Sequence, residues 1–243
     1  VQFTKEIQRT TVQGSLLTLK VEGLLGGHSG QDIDKERQNA DLLMARMIQR
    51  LLKETKGQLV SFNGGTKDNA IPRECEASLI YESDEEAAKA EELACELAET
   101  YAEELTPAEP DFSCEISCET NRTAEAIPQD AAKEFICAMR LAPNGIQKRN
   151  IKMDGFVVVS LNLGVVRTEE DRIVMIFSPR SSVASLQEDT KERLNTLAET
   201  FGFTVSHSSE YPGWSFKEDS PVREICKESY KELFGEDLKI EAI

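Results

Sequence analysis

The sequence predicts a mixed α/β (α+β) fold in which antiparallel sheets are covered by helices on one face. Several short segments alternate apolar and polar residues, which is the period of a strand with one buried face. Other, longer segments repeat apolar residues at helical spacing. The order strand, turn, strand, helix occurs twice along the chain, so we expect two related halves.

The first half opens with a strand at residues 17–21 and a glycine-rich turn at residues 23–30. A helix follows at residues 40–51, and Asp32 or Asp34 is available as its N-cap. The other elements of this half are strands at residues 59–62, 75–81 and 112–119 and a helix at residues 84–105, whose glutamates form a solvated face.

The second half contains a helix at residues 130–141, strands at residues 156–166 and 173–177, and a helix at residues 183–201. A trace of duplication remains, because Leu97-Ala-Glu-Thr-Tyr101 and Leu197-Ala-Glu-Thr-Phe201 close the two long helices. His207 is in phase with Phe203 and Val205 on a strand, which favours a core or edge histidine over a functional one.

The last residues have a different character. A polar linker follows Tyr211-Pro-Gly-Trp214, and residues 221–234 have helical spacing with Gly235 as the C-cap. The chain starts without Met and stops inside the apolar run at residues 238–243, so we expect it to be part of a longer protein.

Composition limits the possible partners. The net charge of -16 argues against nucleic acid and anionic membranes, because such a surface cannot neutralise phosphates. Residues 1–11 contain no signal-peptide core, and no apolar run approaches the roughly 20 residues that span a bilayer, so a cytoplasmic protein is expected. The six cysteines form no CxxC pair and are interpreted as reduced, mostly buried thiols.

Residue patterns give few catalytic candidates. The chain has only two histidines and no short-spaced ligand pair, so no metal site is expected in it. Ser29 lacks the context of a nucleophile elbow, and no phosphate-binding loop is present. His28 lies in a turn between a strand and a helix, where it is either functional or structural. Arg180 follows a strand and suits either a surface salt bridge or a substrate carboxylate.

Five segments resemble the aminoacyl-histidine dipeptidases, which are carnosinase-like zinc metallopeptidases. Residues Gly23-Leu-Leu-Gly-Gly-His-Ser-Gly-Gln-Asp-Ile33, with Arg37 and Asn39-Ala40, resemble the start of the lid in that family. Asn69-Ala-Ile-Pro72 resembles the N-x-I-P turn of the wider metallo-aminopeptidase and deacetylase family. The other matching segments are Ser160-Leu-Asn-Leu-Gly164, Ser178-Pro-Arg-Ser-Ser182 and Tyr211-Pro-Gly-Trp214.

The resemblance implies a bilobed enzyme that hydrolyses Xaa-His dipeptides such as β-alanyl-histidine. Its catalytic domain would hold two zinc ions, and this chain would be the lid that closes over the bound dipeptide. By position, His28 matches the lid histidine that stabilises the oxyanion, and Arg180 matches the arginine that holds the substrate carboxylate. Asn69 matches a polar lid contact near the substrate. The expected partners are its own catalytic domain, a dipeptide and a second copy in a homodimer.

The resemblance also implies a domain plan. Residues 1–13 would end a catalytic-domain linker, residues 14–212 would form the lid in two subdomains (14–125 and 126–212), and residues 213–243 would begin a truncated return into the catalytic domain. The zinc-binding residues of the family are not in this chain, so the fragment alone is expected to bind no cofactor and to be inactive. The alternative, from a different class, is a stand-alone dimerisation or ligand-binding module without catalysis.

Overall fold

The computed structural model describes residues 1–151, 155–208 and 219–239. The motif Tyr211-Pro-Gly-Trp214, the predicted boundary near Gly213 and the last four positions of the predicted terminal strand lie outside these residues. None of the described helices has both the length and the apolar character that crossing a membrane requires.

The described residues form one large antiparallel sheet and one small ribbon. The strands are β1 (Gln2–Glu6), β2 (Thr10–Glu22), β3 (Gly27–His28), β4 (Gln58–Gly64), β5 (Ala70–Ile71), β6 (Cys75–Tyr81), β7 (Ser113–Ala126), β8 (Gly145–Arg149), β9 (Val157–Thr168), β10 (Arg172–Ser181) and β11 (Thr204–Ser206). The large sheet has nine strands in the order β11-β1-β10-β9-β4-β6-β2-β7, with β8 also paired to β9. Strands β3 and β5 form the separate two-stranded ribbon.

Helices cover one face of the large sheet, as the sequence predicted. The helices of the described residues are α1 (Ala40–Glu54), α2 (Asp84–Leu105), α3 (Gln129–Leu141), α4 (Ala184–Thr200) and α5 (Pro221–Phe234). The first four lie side by side in the order α2, α1, α3, α4, because α1 contacts both α2 and α3, and α3 contacts α4. Helix α5 begins with proline, ends at Gly235 in the left-handed conformation, and has no buried residue.

The core lies between this helix layer and the sheet. Leu17, Leu19 and Val21 of β2 are fully buried on the helix-covered face, as their alternation predicted. The rings of Phe62 on β4 and Phe135 on α3 pack edge to face at 5.4 Å between centroids. One continuous apolar cluster includes residues from both halves of the chain, so burial holds the halves together.

The strand order has two matching halves, while their origin by duplication stays a prediction. Read outward from the centre of the sheet, one half runs β4, β6, β2, β7 and the other runs β9, β10, β1, β11. In each half a strand leads within three residues into a long helix, from β6 into α2 and from β10 into α4. The repeated Leu-Ala-Glu-Thr motif lies near the end of each of these two helices. The subdomain boundaries at residues 125 and 126 stay a prediction.

A narrow seam joins the two halves. Strands β4 and β9 share one ladder pair, Gly64 with Val166. The Arg167 guanidinium donates to the carbonyls of Gly64 at 2.6 Å and Gly65 at 2.5 Å. Asn39 Nδ2 donates to the carbonyl of Leu163 at 2.8 Å. Side chains therefore supply most of the hydrogen bonds where the two halves meet.

A carboxyl group is buried beside this seam. Asp41 is fully buried, and both its oxygens lack a hydrogen-bond partner by geometry. It lies against Gly64 and the Cys75 thiol. Burial raises the pKa of Asp41 to about 8, although the Cys75 contact and the Arg167 charge act in the opposite direction. Burial likewise raises the pKa of Cys75.

Three details differ from the sequence predictions. The N-cap of α1 is Asn39, whose side chain accepts from the amides of Asp41 and Leu42, and neither Asp32 nor Asp34 caps this helix. Residues 2–6, which the sequence placed in a linker, form β1 between β10 and β11. The expectation of mostly buried thiols was wrong, because Cys75 alone among the six cysteines is buried, whereas Cys95 and Cys226 are exposed.

Candidate functional site

The loop between β2 and α1 carries the candidate histidine. Three of its glycines have positive φ, including Gly27 at 145°. A Cβ atom at Gly27 would stand 2.6 Å from Arg37 Nη1 and 2.7 Å from Asp32 Oδ2, closer than real Cβ contacts allow. Glycine at this position therefore lets the chain turn tightly around the two polar side chains.

His28 is half-buried and held in one orientation. Its backbone amide donates to Asp32 Oδ2 at 2.8 Å, and β3 pairs it with Ala70 of β5. Its ring atom Nδ1 accepts from the amides of Gly30 at 3.2 Å and Gln31 at 3.1 Å. A ring nitrogen that accepts carries no hydrogen, so the neutral imidazole bears its hydrogen on Nε2. His28 therefore presents an Nε2–H donor.

Asp32 is the acidic partner that shapes this turn. Its carboxylate accepts from the Lys35 ammonium at 2.5 Å as well as from the His28 amide. The hydrogen bond from Lys35 and then that from the His28 amide lower the pKa of Asp32. Asp32 is therefore ionised near neutral pH and supports the turn rather than capping α1.

Arg180 lies beside the same turn, although it comes from the other half of the chain. It stands near the end of β10, where it pairs with Ser160 of β9. Arg180 Nη1 and His28 Cε1 lie 3.3 Å and 3.2 Å from the point where a Cβ on Gly30 would stand. Its Nε is buried without a hydrogen-bond acceptor, and none of the described residues forms an ion pair with it. The guanidinium is thus available to a ligand.

Asn69 is exposed in the turn that precedes β5. Its carbonyl accepts from the amide of Ser29 at 2.9 Å, which places the turn next to the His28 loop. Asn162 of β9 holds the same turn, because its Nδ2 donates to the carbonyls of Asp68 at 3.3 Å and Ala70 at 2.8 Å. The structure therefore brings the turn of Asn69 close to the loop of His28, which in turn lies beside Arg180.

Sequence reasoning missed several polar residues around this site. Ser29 and Asn162 are each 1% exposed, and Ser29 Oγ and Asn162 Oδ1 have no partner among the described residues. Asn162 lies within the matching segment Ser160-Leu-Asn-Leu-Gly164, which by itself indicates no role for it. Its one local signal was an amide side chain between Leu161 and Leu163 of the strand, where a buried polar group requires a partner.

The second histidine lies elsewhere. His207 follows β11, is exposed, and its Nε2 is 3.2 Å from Asn195 Oδ1 of α4. The side chain is exposed and so is not in the core, whereas its position directly after the edge strand β11 with a partner on α4 agrees with an edge histidine.

The described residues do not fit a metal ion. No group of three or more His, Cys, Asp or Glu side chains comes together in residues 1–151, 155–208 and 219–239. Zinc needs three or four such ligands, so these residue ranges supply no metal centre of their own.

Comparison with known proteins gives a family for part of the chain. Residues 19–109 match the M20 family described as "Peptidase dimerisation domain". This segment is therefore similar to peptidase dimerisation domains. The matched residues run from the last part of β2 to just beyond α2, so they contain His28 and Asn69, whereas Arg180 lies outside them.

Two relatives match the dimerisation domain together with the rest of the chain. The chain is 30% identical over 251 residues to the cytosol non-specific dipeptidase of Escherichia coli (strain K12), covering 100% of this chain and 50% of that protein. The crystal structure of aminoacylhistidine dipeptidase from Vibrio alginolyticus matches with a TM-score of 0.88 and 31% identity, covering 97% of this chain and 48% of that one. The resemblance seen in the sequence motifs is thus confirmed. The chain spans about half the length of both relatives.

Proposed function

We propose that this chain is the lid of a zinc-dependent dipeptidase that hydrolyses Xaa-His dipeptides of the β-alanyl-histidine type. The observation that carries the proposal is the approach of His28 and Arg180, from different halves of the chain, to the same point above Gly30. Both side chains have donors that no described residue occupies. The names of the two relatives support a dipeptide as the ligand.

The two donors fit the two charged ends of the reaction. Arg180 would bind the free carboxylate of the dipeptide, because its planar fork matches two carboxylate oxygens. His28 Nε2–H would donate to the carbonyl oxygen of the scissile bond as negative charge develops there. Asn69 would add a polar contact to the bound dipeptide. These residues bind and polarise the substrate, and none of them is proposed to attack the peptide bond.

The remaining groups would come from outside the described residues. Zinc ions would be held by a catalytic domain of the full-length protein, and the lid would close over that domain in the cytoplasm. Residues 213–243 would begin the return into the catalytic domain. Because the described residues bring no metal-ligand cluster together, we expect the isolated chain to bind no zinc and to release no histidine from β-alanyl-histidine.

The test uses the full-length protein and the isolated chain in parallel. After dialysis, zinc content is measured, and hydrolysis of β-alanyl-histidine is compared with that of β-alanyl-alanine. We expect zinc and preferential hydrolysis of the histidine dipeptide in the full-length protein, and neither in the isolated chain. A full-length protein that holds zinc but cleaves neither dipeptide would contradict the proposal, as would turnover by the chain alone.

A second candidate function is dimerisation without catalysis. The family description favours it, and β7, a strand of 14 residues, has one edge that pairs with no described strand. An unpaired edge of this length can add a strand from a second copy. Light scattering on the isolated chain distinguishes a 27.1 kDa monomer from a dimer of twice that mass. A monomer at every concentration would exclude this route.

A further inference from the structure

The loop that carries His28 has little regular structure of its own. Between Leu25 and Gln38 its only ladder pairing is the two-residue strand β3. Besides the glycines, Glu36 also has a positive φ, of 52°. The loop also contains a short 3₁₀ helix at Ile33–Lys35 and local turn bonds such as that from the Asp32 amide to the His28 carbonyl, which shape the loop but do not fix its ends. The position of His28 therefore depends on what holds this loop.

One carboxylate holds both ends of the loop. Glu109 Oε2 accepts from the amide of Leu25 at 2.7 Å, and Glu109 Oε1 accepts from the amide of Gln38 at 2.9 Å. Leu25 precedes His28 and Gln38 follows it, so the two bonds close the loop around the histidine. Glu109 is only 3% exposed, which keeps water from replacing these bonds.

Glu109 is itself fixed by the backbone around it. Its amide donates to the carbonyl of Leu105 at 2.9 Å, at the end of α2, and its carbonyl accepts from the amide of Phe112 at 3.2 Å. The carboxylate thus links the loop to the end of the longest described helix. A buried carboxylate that accepts two amide hydrogens forms strong, charge-assisted bonds, and removing one acceptor leaves a buried donor unpaired.

We propose that Glu109 is a positioning residue for His28. By fixing Leu25 and Gln38 it keeps the Gly30 and Gln31 amides aimed at Nδ1, and so keeps the hydrogen of the imidazole on Nε2, where a donor is needed. The catalytic part of this inference rests on the proposed role of His28, whereas the structural part stands without it. A side chain with one oxygen acceptor cannot hold both amides, because its second terminal group is itself a donor.

The structural part is tested on the chain alone by nitrogen NMR and amide hydrogen exchange. In the unmodified chain the Leu25 and Gln38 amides should be protected, and the His28 ring nitrogens should show one neutral tautomer. Glu109→Gln should speed exchange at one or both amides by roughly tenfold and give a mixture of tautomers. Glu103→Gln is the control, since Glu103 is exposed near the end of α2, six residues before Glu109, and should change neither signal.

The catalytic part is tested in the full-length protein with a double-mutant cycle. Glu109→Gln should lower kcat by up to roughly a hundredfold with little change in KM, because a misplaced donor acts mainly on the transition state. In a His28→Ala background the same substitution should have almost no further effect on kcat, because Glu109 acts on the reaction only through His28. A residue that merely stabilises the fold would lower kcat equally in both backgrounds.

The outcomes distinguish the positioning role of Glu109 from the catalytic role of His28. Unchanged exchange and tautomer in Glu109→Gln would overturn the positioning role. An altered tautomer combined with unaltered kcat in His28→Ala would sustain the positioning role and sink the catalytic one. Glu109→Asp keeps both acceptors on a shorter arm and should shift the same signals in the same direction. Loss of the whole fold in both variants would mean that Glu109 supports the domain, and would also overturn the proposal.

Discussion

The two halves of the large sheet share one strand order but differ in the length of equivalent strands. In the first half, β2 and β7 have 13 and 14 residues, whereas their counterparts β1 and β11 have 5 and 3. The long β2 leads into the loop of His28. The second half instead has Arg180 near the end of β10, where the equivalent strand β6 has the buried Ile80. The repeat therefore supplies the framework, and the candidate site uses positions where the halves differ.

The largest expected effect is that of replacing His28, which only the first half of the sheet contributes to the candidate site. His28→Ala in the full-length protein should lower kcat roughly a hundred- to a thousandfold, the range for losing one oxyanion donor. Substrate affinity should change much less, since the bond strengthens only as charge develops. Turnover and thermal unfolding are measured on one preparation. His207→Ala is the control, because His207 is exposed and lies beyond the candidate site. Near-normal turnover per folded molecule would remove His28 from the mechanism.

The next largest effect is that of replacing Arg180, which only the second half of the sheet contributes to the candidate site. Arg180→Lys keeps the positive charge but loses the planar fork. It should therefore lower kcat/KM by the factor that corresponds to losing about 1.5 to 3 kcal/mol of transition-state stabilisation. Steady-state kinetics with β-alanyl-histidine measure the change. Arg172→Lys is the matched control on the same strand, where the exposed side chain pairs with Glu169 at 2.5 Å. If both variants keep the normal kcat/KM, Arg180 does not bind the carboxylate.

A smaller effect should come from an arginine that ties the two halves together. The Arg9 guanidinium donates to the carbonyls of Val60 at 2.7 Å, Glu125 at 2.8 Å and Glu169 at 2.6 Å. Lysine cannot reach all three acceptors, so Arg9→Lys should lower the free energy of unfolding by about 2 kcal/mol, or Tm by roughly 4 to 8 °C.

Calorimetry on the isolated chain measures this loss of stability. Arg122→Lys is the control, because Arg122 is exposed and pairs only with Glu119 of its own strand among the described residues. An equal and small change in both variants would mean that Arg9 does not couple the halves.

The smallest effect, taken per pH unit, is a pH dependence that belongs to the start of one helix and not to the start of its counterpart. Asp41 is buried at the start of α1, whereas Asp130 is exposed at the start of α3. The pKa of Asp41 is about 8 in the folded chain and about 4 in an unfolded one, so the unfolded chain binds fewer protons between these values. Stability should therefore fall as pH rises, by about 1.4 kcal/mol per pH unit between pH 5 and 7, and level off above pH 8.

Urea unfolding across this pH range tests the dependence. Asp41→Asn should remove it, because an amide does not ionise, and Asp130→Asn should leave it in place. A pH dependence that survives in Asp41→Asn would assign it to another group.

Local signals predicted much of the fold. The bounds of α2, α5 and β6 were predicted without error, because each combines a clear apolar period with a strong end signal such as Pro221 or Gly235. Strand β1 was missed because Phe3 is its one buried residue, and its pairing with β10 and β11 depends on residues far along the chain. Asn39 was missed as the N-cap because two aspartates nearer the turn gave the same local signal.

The candidate site was predictable as a set of residues but not as an arrangement. His28 and Arg180 could be named from the motifs around them. Their meeting above Gly30 depends on the order of β9, β10 and the β3–β5 ribbon, which no local pattern contains. Glu109 gave no signal in the sequence, since a glutamate after an acidic helix is normally solvated. Its role follows from two long-range hydrogen bonds to the His28 loop.

Strand β1 has a consequence for the order in which the molecule can assemble. Among the described strands it is made first, yet it lies between β10 and β11, whose residues are made after position 171. During synthesis the first half can close its own sheet as soon as β7 emerges, while β1 has no strand to pair with. Residues 2–6 must stay unpaired until β10 and β11 have been made, so the closing step joins segments that are far apart along the chain. Contacts of such high sequence separation form slowly, and the last step of folding should be the insertion of β1.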